Sequence, residues 1–382
     1  MRITFLMPRY PWGPSGGYKV VYEYANGLVS RGHEVTVVHP RRLKYAVLPE
    51  RLTLRNRLRR ARTWMSDLGS SPRVNWHTID GRVKMRFVED SSAEFIPDGE
   101  AVFATSWQTV ESVMRCPPSR GAKFYLIQGY EIWDGHRELV DATWRSPLRK
   151  VVISKWLLDV GKELRAHEVE YIPNGIDDRV YRLCQPFETR PLQVAMAYSA
   201  LSVKGAVDGI KALTIARARY PEMKAVLFGK ESPPRWIPKW IKYYRAPSQS
   251  VIVNEIYNGS RVFLNSSLTE GFALPPAEAA LCGCAIVATD SGGIRDYVED
   301  GVTGLLSAPR NPELLAENLS LLLSNPDLCE QLAKAGSQSV KRFSWEQSTN
   351  LLEALICKEA EKRERRKDEE DGVRIESSPR LL

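Results

Sequence analysis

The sequence predicts an α/β protein with two doubly wound domains, each built on a parallel sheet with helices on both faces. Short apolar runs alternate with amphipathic helical stretches along most of the chain, a pattern typical of βαβ units. Two such series follow one another, and they share a common layout. The chain has 382 residues, more than one hydrophobic core usually supports. Each series is therefore expected to form its own domain.

The first series begins with the strand RITFLM at 2–7 and the helix YKVVYEYANGLVSRG, which ends at Gly32. Its later strands are EVTVVHP, AVFAT, KFYLIQG and KVVISK. Gly16 and Gly17 come just before the helix, so backbone amides there can face an anion. The sequence GPSGG is not the dinucleotide fingerprint, and a plain tight turn is the alternative.

The second series starts at LQVAMAYS (192–199) and continues with the strands KAVLFG, SRVFLNSS and CAIVATD. Turn-forming residues cluster between the two series, where Pro173, Asn174 and Gly175 are expected to form a hinge. The predicted division is an N-terminal domain at 1–173, a C-terminal domain at 174–343, a crossover helix at 344–365 and a charged, disordered tail at 366–382.

The composition is ordinary for a globular protein and predicts no membrane span. No apolar run approaches the length that a transmembrane helix requires, and the N-terminus MRITFLMPRY lacks the apolar stretch of a secretory leader. We therefore expect the chain in the cytoplasm. The six cysteines are scattered, and Cys282 and Cys284 flank one glycine, a spacing that fits neither a zinc pattern nor a small disulfide framework. They are expected to be reduced.

A strongly basic segment lies between Arg41 and Arg62, with nine basic residues and one acid, while the net charge of the whole chain is +8. Apolar residues between the arginines follow helical spacing. The region 41–65 is expected either to lie on an anionic membrane surface or to form a solvated basic loop. No recognised nucleic-acid motif accompanies the charge, so we expect no nucleic-acid partner.

The segment EGFALPPAE, from Glu270 to Glu278, places two carboxylates around a predicted helix start. The preceding VFLNSS has strand character, and Pro275 and Pro276 suit a first helical turn. A helix start presents unpaired N–H groups to phosphate, Gly271 allows close backbone approach, and carboxylates accept hydrogen bonds from hydroxyls. The segment predicts a site for a ligand with both phosphate and hydroxyl groups. The alternative is a loop carboxylate at 270 and a surface helix residue at 278.

The segment SALSVKG places Ser202 as a helix cap, with Lys204 in the first turn. A lysine is unfavourable at the positive end of a helix dipole, which indicates a negative group nearby. The alternative is an exposed lysine at a helix start.

The region 270–306 resembles the signature of retaining glycosyltransferases of family 4, which carry an E-x7-E motif and have the GT-B fold: EGFALPPAEAALCGCAIVATDSGGIRDYVEDGVTGLL. Shorter motifs extend the resemblance over most of the C-terminal half: YIPNGID (171–177), VVISKWL (151–157), VKG (203–205), IYNGSRVFLNSS (256–267) and FSWE (343–346). The N-terminal half is similar mainly in its GG loop.

The resemblance implies two Rossmann-like domains that face each other across a cleft, with a C-terminal helix returning to the N-terminal domain. The first domain would bind the acceptor and the second the nucleotide sugar. Glu278 would hold the ribose hydroxyls and Glu270 would face the transferred sugar. Lys204 would pair with the diphosphate, and Gly16 and Gly17 would close on it from the other domain.

The residues implied in catalysis are Glu270 and Lys204. The backbone implied in donor binding runs through Gly271, Phe272, Ala273 and Leu274, and Tyr244 is a further candidate for contact with the base. The resemblance implies no cofactor and no metal, because a lysine and a helix end would supply the positive charge.

Two departures from the family pattern involve candidate site residues. Many relatives have an arginine five residues before the lysine, where this chain has Ser199. Many also have a histidine of the first domain near the donor sugar, where the comparable stretch here is LIQGYEIW. Tyr130 and Glu131 are the candidates to act at that place.

The predicted function is transfer of a hexose or deoxyhexose from a nucleotide sugar to a glycan or lipid-linked acceptor, in cell-surface polysaccharide synthesis. The enzyme is expected in the cytoplasm or peripherally at the cytoplasmic face of the membrane. Two alternatives stay open: a nucleotide-sugar epimerase of GT-B architecture, and a catalytically degenerate GT-B binding module.

Overall fold

The computed structural model describes residues 1–11, 13–45, 74–133 and 136–376. The chain splits into two compact units. The first comprises Met1–Ile127, Arg145–Val151 and the chain from Thr349 onward, and the second comprises Gln128–Trp144 and Val152–Ser348.

The first sheet is parallel and has seven strands. They are β1 (Arg2–Leu6), β2 (Glu34–Arg42), β3 (Lys84–Asp90), β4 (Ala101–Ala104), β5 (Ala122–Ile127), β6 (Arg149–Val152) and β7 (Val169–Tyr171). Their order is β3-β2-β1-β4-β5-β6-β7, and β1 pairs in parallel with both β2 and β4. The central strands are apolar on both faces because both faces are covered. Inside this core the ring of Phe103 stacks between Phe5 and Phe124, with centroids 4.8 and 4.6 Å away.

The helices of the described residues vary from single turns to one long C-terminal element. They are α1 (Gly16–Ser30), α2 (Val110–Met114), α3 (Arg137–Trp144), α4 (Lys155–Glu163), α5 (Ala206–Arg219), α6 (Gln249–Val251), α7 (Leu274–Leu281), α8 (Pro312–Ser324), α9 (Pro326–Val340) and α10 (Trp345–Glu376). A π-helix at Ile252–Tyr257 continues α6. The 3-10 turn at Ser202–Lys204 directly precedes α5.

The second sheet is parallel and has six strands. They are β8 (Gln193–Ala197), β9 (Lys224–Gly229), β10 (Ile241–Arg245), β11 (Val262–Asn265), β12 (Ala285–Thr289) and β13 (Leu305–Ser307). Their order is β10-β9-β8-β11-β12-β13, so the chain moves to one side of β8 and then returns to its other side at β11. Such a reversal of strand order opens a crevice at the carboxyl ends of the two strands, where ligands of doubly wound folds bind.

The last helix, α10, packs against the first unit. A Cβ added at Gly27 in α1 would lie 2.6 Å from the Thr349 hydroxyl oxygen, so the two helices touch where α1 has no side chain. The guanidinium of Arg31 donates to Asn350 Oδ1 at 2.6 Å. Farther along α10, Arg149 Nη1 pairs with Glu359 Oε1 at 2.6 Å.

These observations confirm the predicted fold class, with two parallel-sheet Rossmann-like α/β domains and a C-terminal helix that returns to the N-terminal one. The helix extends to Glu376, beyond the predicted end at 365. The six cysteines are free, as expected.

Two further predictions concern membranes. Within the described residues, no helix is both long and apolar enough to cross a membrane. Most of the basic segment 41–65 lies outside the described residues, because the structure describes 13–45 and resumes at 74. Its membrane contact stays a prediction.

Candidate functional site

An ion pair lies at the strand-order reversal of the second sheet. Lys204 follows β8 and Glu270 follows β11, so both come from the carboxyl ends of the two strands that flank the reversal. The Nζ atom of Lys204 lies 2.8 Å from each carboxylate oxygen of Glu270. The lysine side chain is 35% exposed and the glutamate side chain 13%. The pair therefore brings both predicted catalytic residues to a solvent-accessible crevice.

Three hydrogen bonds, besides the contact with Lys204, hold the Glu270 carboxylate and backbone. The hydroxyl of Ser267, which is 3% exposed, donates to Glu270 Oε1 at 2.7 Å. The Glu270 amide donates to the carbonyl of Ser291 at 2.8 Å, and its carbonyl accepts from Gly293. Glu270 is therefore fixed at three points besides its contact with Lys204.

Two glycines let neighbouring segments approach the pair closely. A Cβ added at Gly271 would lie 1.9 Å from the carbonyl oxygen of Gln128. Gly205 has a φ of +59°, in the left-handed region that favours glycine, and an added Cβ would lie 1.9 Å from the carbonyl oxygen of Ser266. A side chain at 271 would push Gln128 away from the loop that contains Glu270. A side chain at 205 would push the turn that contains Lys204 away from Ser266.

The start of α7 has an unusual backbone. Ala273 precedes the helix with φ 64° and ψ 74°, a left-handed conformation that costs a non-glycine residue of order 1 kcal/mol. The buried Tyr297 hydroxyl donates to the Ala273 carbonyl at 2.6 Å and holds this conformation. Burial raises the pKa of Tyr297 well above its ordinary value, so the hydroxyl stays protonated and remains a donor. Phe272 is 2% exposed and packs on Tyr297, which leaves its backbone as the part suited to a ligand.

Glu278 is buried in α7, where it is 7% exposed. The hydroxyl of Tyr257 donates to Glu278 Oε2 at 3.2 Å. Burial, with Glu278 adding to it, raises the pKa of Tyr257 well above its ordinary value. The alternative of a surface helix residue at 278 is therefore wrong. Glu278 lies in the second turn of α7, because the helix begins at Leu274, before the two prolines.

A pocket of about 110 Å³ lies beside the ion pair. It brings together several sequence-predicted residues, Lys204, Glu270, Gly271, Tyr130 and Glu131. The full lining is Gln128, Gly129, Tyr130, Glu131, Trp133, Leu201, Val203, Lys204, Thr269, Glu270 and Gly271. Phe272, Ala273, Leu274, Glu278, Ser199 and Tyr244 are not among these lining residues.

The additional candidates have structural partners. The Tyr130 hydroxyl donates to Asp141 Oδ1 at 2.7 Å, so that hydroxyl is already engaged. Tyr244 lies on the edge strand β10, where it accepts a hydrogen bond from Lys242 and donates to Glu255 at 3.1 Å. Ser199 Oγ accepts from the amide of Leu201 at 3.3 Å.

The remaining predicted positions lie at helix starts. Gly16 and Gly17 are the first residues of α1, in the first unit. Ser202 was predicted as a helix cap, and this is wrong. It opens the 3-10 turn that contains Lys204, and the helix begins at Ala206 because Gly205 turns the chain first.

Sequence reasoning missed Ser267, Tyr297, Tyr257 and Gln128. Ser267 could have been found from its spacing, since a hydroxyl side chain three positions before Glu270 is close enough to donate to its carboxylate. The other three are brought to the site by the fold alone, from positions distant in sequence.

Residues 185–339 match the family model described as glycosyl transferases group 1. An uncharacterised glycosyltransferase of Methanocaldococcus jannaschii is 38% identical over 80 residues, which is 21% of this chain and 23% of that protein. D-inositol 3-phosphate glycosyltransferase of Streptomyces bingchenggensis is 30% identical over 105 residues, 28% of this chain and 23% of that protein. The chain thus aligns with about a quarter of the length of these relatives.

Solved structures resemble nearly the whole chain. Sucrose-phosphate synthase from Thermosynechococcus elongatus has a TM-score of 0.68 at 15% identity, covering 94% of this chain and 98% of that one. Anabaena HepE in complex with UDP-glucose has a TM-score of 0.71 at 15% identity, covering 94% of this chain and 100% of that one. A TarM variant of S. aureus in complex with fondaparinux, α-GlcNAc-glycerol and UDP has a TM-score of 0.71 at 11% identity, with 93% and 99% covered. At these identities the likeness establishes the fold, which is GT-B.

Proposed function

We propose that the protein is a glycosyltransferase that moves a hexose or deoxyhexose from a nucleotide-sugar donor to a glycan or glycolipid acceptor. The observation that carries the proposal is the Lys204–Glu270 ion pair at the strand-order reversal, where Glu270 lies in the loop that leads to the start of α7. The matched family model covers this region, and HepE, which shares the fold, was solved with UDP-glucose.

The donor has three chemically distinct parts, and the second unit has residues suited to each. The diphosphate would lie near Lys204 and the amides at the start of α7, where positive charge is available. Glu270 would accept hydrogen bonds from hydroxyls of the transferred sugar, and Glu278 from those of the ribose. The roles of Gly16, Gly17 and Tyr244 in donor binding, and of Ser199 in place of an arginine, stay predictions.

The reaction proposed is transfer with retention at the anomeric carbon. The bond between that carbon and the diphosphate oxygen breaks, and a bond to the acceptor oxygen forms on the same face of the sugar. The leaving phosphate takes the acceptor proton, so the products are the glycoside and the nucleoside diphosphate. Lys204 stabilises the negative charge that grows on the phosphate, which is where an interaction accelerates the step. In this proposal no divalent metal or other cofactor is required, and addition of EDTA leaves the rate unchanged.

The proposed setting is cell-surface polysaccharide synthesis at the cytoplasmic face of the membrane, with 41–65 as the contact to anionic lipid. The matched family model supports a glycosyltransferase over the two alternatives. An epimerase would convert the donor with no acceptor present, and a degenerate binding module would bind nucleotide sugar without consuming it.

A screen of nucleotide-sugar donors tests the proposal. Purified protein is mixed with uridine, guanosine and thymidine diphosphate sugars, and its melting temperature and the consumption of each donor by mass spectrometry are followed. At least one donor should raise the melting temperature and be consumed when an acceptor is present. Glu278→Gln should weaken that binding at least tenfold, whereas Glu313→Gln, at an exposed surface ion pair, should leave it unchanged. Absence of any shift and any consumption in the parent protein would overturn the proposal.

A further inference from the structure

Two large apolar side chains lie exposed on the pocket that holds the ion pair. Trp133 is 44% exposed and Leu201 58%, and both line the pocket together with Lys204 and Glu270. Exposed apolar side chains that share one concave surface with charged groups are typical of a binding site, whereas scattered ones need no explanation. The pocket therefore combines exposed apolar side chains with charged ones.

The segment that carries Trp133 is held in place by its neighbours. The Gln128 carbonyl sits against Gly271, where any side chain would collide with it. The Tyr130 ring meets Trp144 edge-on, with centroids 6.2 Å apart, and its hydroxyl donates to Asp141. The indole tip of Trp133 lies 3.8 Å from where a Cβ of Gly129 would be, so the ring folds back over the loop. Trp133 is thus presented from an anchored loop.

The combination of an indole, a leucine and charged groups suits a pyranose ring. A pyranose has a face of C–H groups, which are weakly positive and pack on the negative face of an aromatic ring, and a rim of hydroxyls for charged partners. In the proposed reaction, Glu270 and the neighbouring amides serve the donor sugar. The acceptor requires a second surface. An apolar surface there would orient the acceptor and displace water from the reacting atoms.

We propose that Trp133 and Leu201 form the acceptor subsite, in which the C–H face of an acceptor pyranose stacks on the indole and its attacking hydroxyl points toward the Lys204–Glu270 pair. This inference rests on the proposed function. The hydroxyl oxygen forms the new bond to the anomeric carbon, and its proton leaves with the diphosphate, as in the step above. The chemical class of the acceptor is a glycan or glycoside with an accessible pyranose face.

Acceptor and donor constants measured separately test the subsite. The probes are methyl hexopyranosides and methyl deoxyhexopyranosides, with the donor taken from the screen above. In Trp133→Ala, the KM for the glycoside acceptor should rise at least tenfold, while the donor Kd and the slow hydrolysis of donor by water stay within twofold. Trp133→Tyr, which keeps an aromatic face, should recover most of the loss. Trp236→Ala is the matched control, since Trp236 is 50% exposed in the same unit but is not a lining residue of this pocket.

Direct binding completes the test. Saturation-transfer NMR should show contact between the parent protein and at least one of these glycosides, and the signal should disappear in Trp133→Ala. An unchanged acceptor KM in Trp133→Ala would overturn the inference, and so would the absence of any glycoside contact with the parent. Loss of donor affinity in Trp133→Ala would also overturn it, because the side chain would then contact the donor sugar. In each of these cases consumption of a donor by the parent in the donor screen still upholds the proposed function, so the two failures are distinguishable.

Discussion

Removal of the Ser267 hydroxyl should slow sugar transfer without much loss of donor binding. This hydroxyl is buried and donates to Glu270 Oε1 at 2.7 Å, on the same carboxylate that Lys204 contacts. In Ser267→Ala the carboxylate keeps Lys204 but loses the contact that fixes its rotation. If Glu270 faces the sugar as proposed, the looser carboxylate stabilises the transition state less well.

The size of the effect can be worked out from the contact. A hydrogen bond to a charged group is worth about 1.5–3 kcal/mol. The Glu270 side chain is 13% exposed and keeps its lysine, so water and Lys204 compensate in part, and we take a smaller value of roughly 1–2 kcal/mol. Since 1.36 kcal/mol is tenfold in rate, kcat should fall about 5- to 30-fold.

The assay is steady-state transfer, with kcat and KM determined separately and donor Kd measured by calorimetry. Ser267→Thr, which keeps a hydroxyl, should retain more activity than Ser267→Ala. The control is Ser320→Ala, which also removes a buried hydroxyl, one that donates to the Ala316 carbonyl at 2.7 Å within α8. A kcat within twofold of the parent in Ser267→Ala, or an equal loss in Ser320→Ala, would refute the positioning role.

Two further predictions concern stability. Gly271→Ala should lower the free energy of unfolding by about 1–3 kcal/mol, because its Cβ would lie 1.9 Å from the Gln128 carbonyl oxygen. The control is Gly81→Ala, where no atom lies within 4 Å of the added Cβ and the free energy should change little. Equal urea midpoints for the two variants would contradict the predicted clash at Gly271. Burial lowers the pKa of His39 to about 4. Between pH 6.5 and 4 this histidine is therefore protonated in the unfolded chain but not in the folded protein. The free energy of unfolding then falls as the pH falls, by at most about 1.4 kcal/mol per pH unit. His39→Gln should make the free energy of unfolding, measured in urea from pH 6.5 to 4, depend less on pH. His167→Gln, at an exposed position, should leave this dependence unchanged. The same pH dependence in the parent and both variants would exclude His39 as its cause.

The fold was predictable because its signals are local and repeated. Each buried strand is a short apolar run bounded by turn residues, as RITFLM and CAIVATD illustrate, and helices separate these runs. The Glu270–Glu278 segment was also predictable as a helix start, since Pro275 and Pro276 favour a first turn. The adjacency of Lys204 and Glu270 follows less directly. It requires the order of strands in the sheet, which the sequence suggests only through the family resemblance.

The parts that sequence did not predict depend on contacts between distant residues. Ala273 adopts a left-handed conformation that an alanine does not favour, and it does so because the Tyr297 hydroxyl, from a later turn, holds its carbonyl. The hydrogen bond from the Tyr130 hydroxyl to Asp141 was not predicted either, and Tyr130 stays a candidate for sugar contact. The error at Ser202 has a local cause, since Gly205 takes a positive φ and delays the helix start.

The packing of α10 against α1 has a consequence for synthesis of the chain. The first unit is assembled from both ends of the sequence, with Thr349 and Asn350 in contact with the helix that begins at Gly16. During translation α1 emerges early, but its partner leaves the ribosome only after all of the second unit. The surface of α1 around Gly27 therefore stays uncovered until the second unit has been synthesised, and during that time chaperones and proteases have access to it.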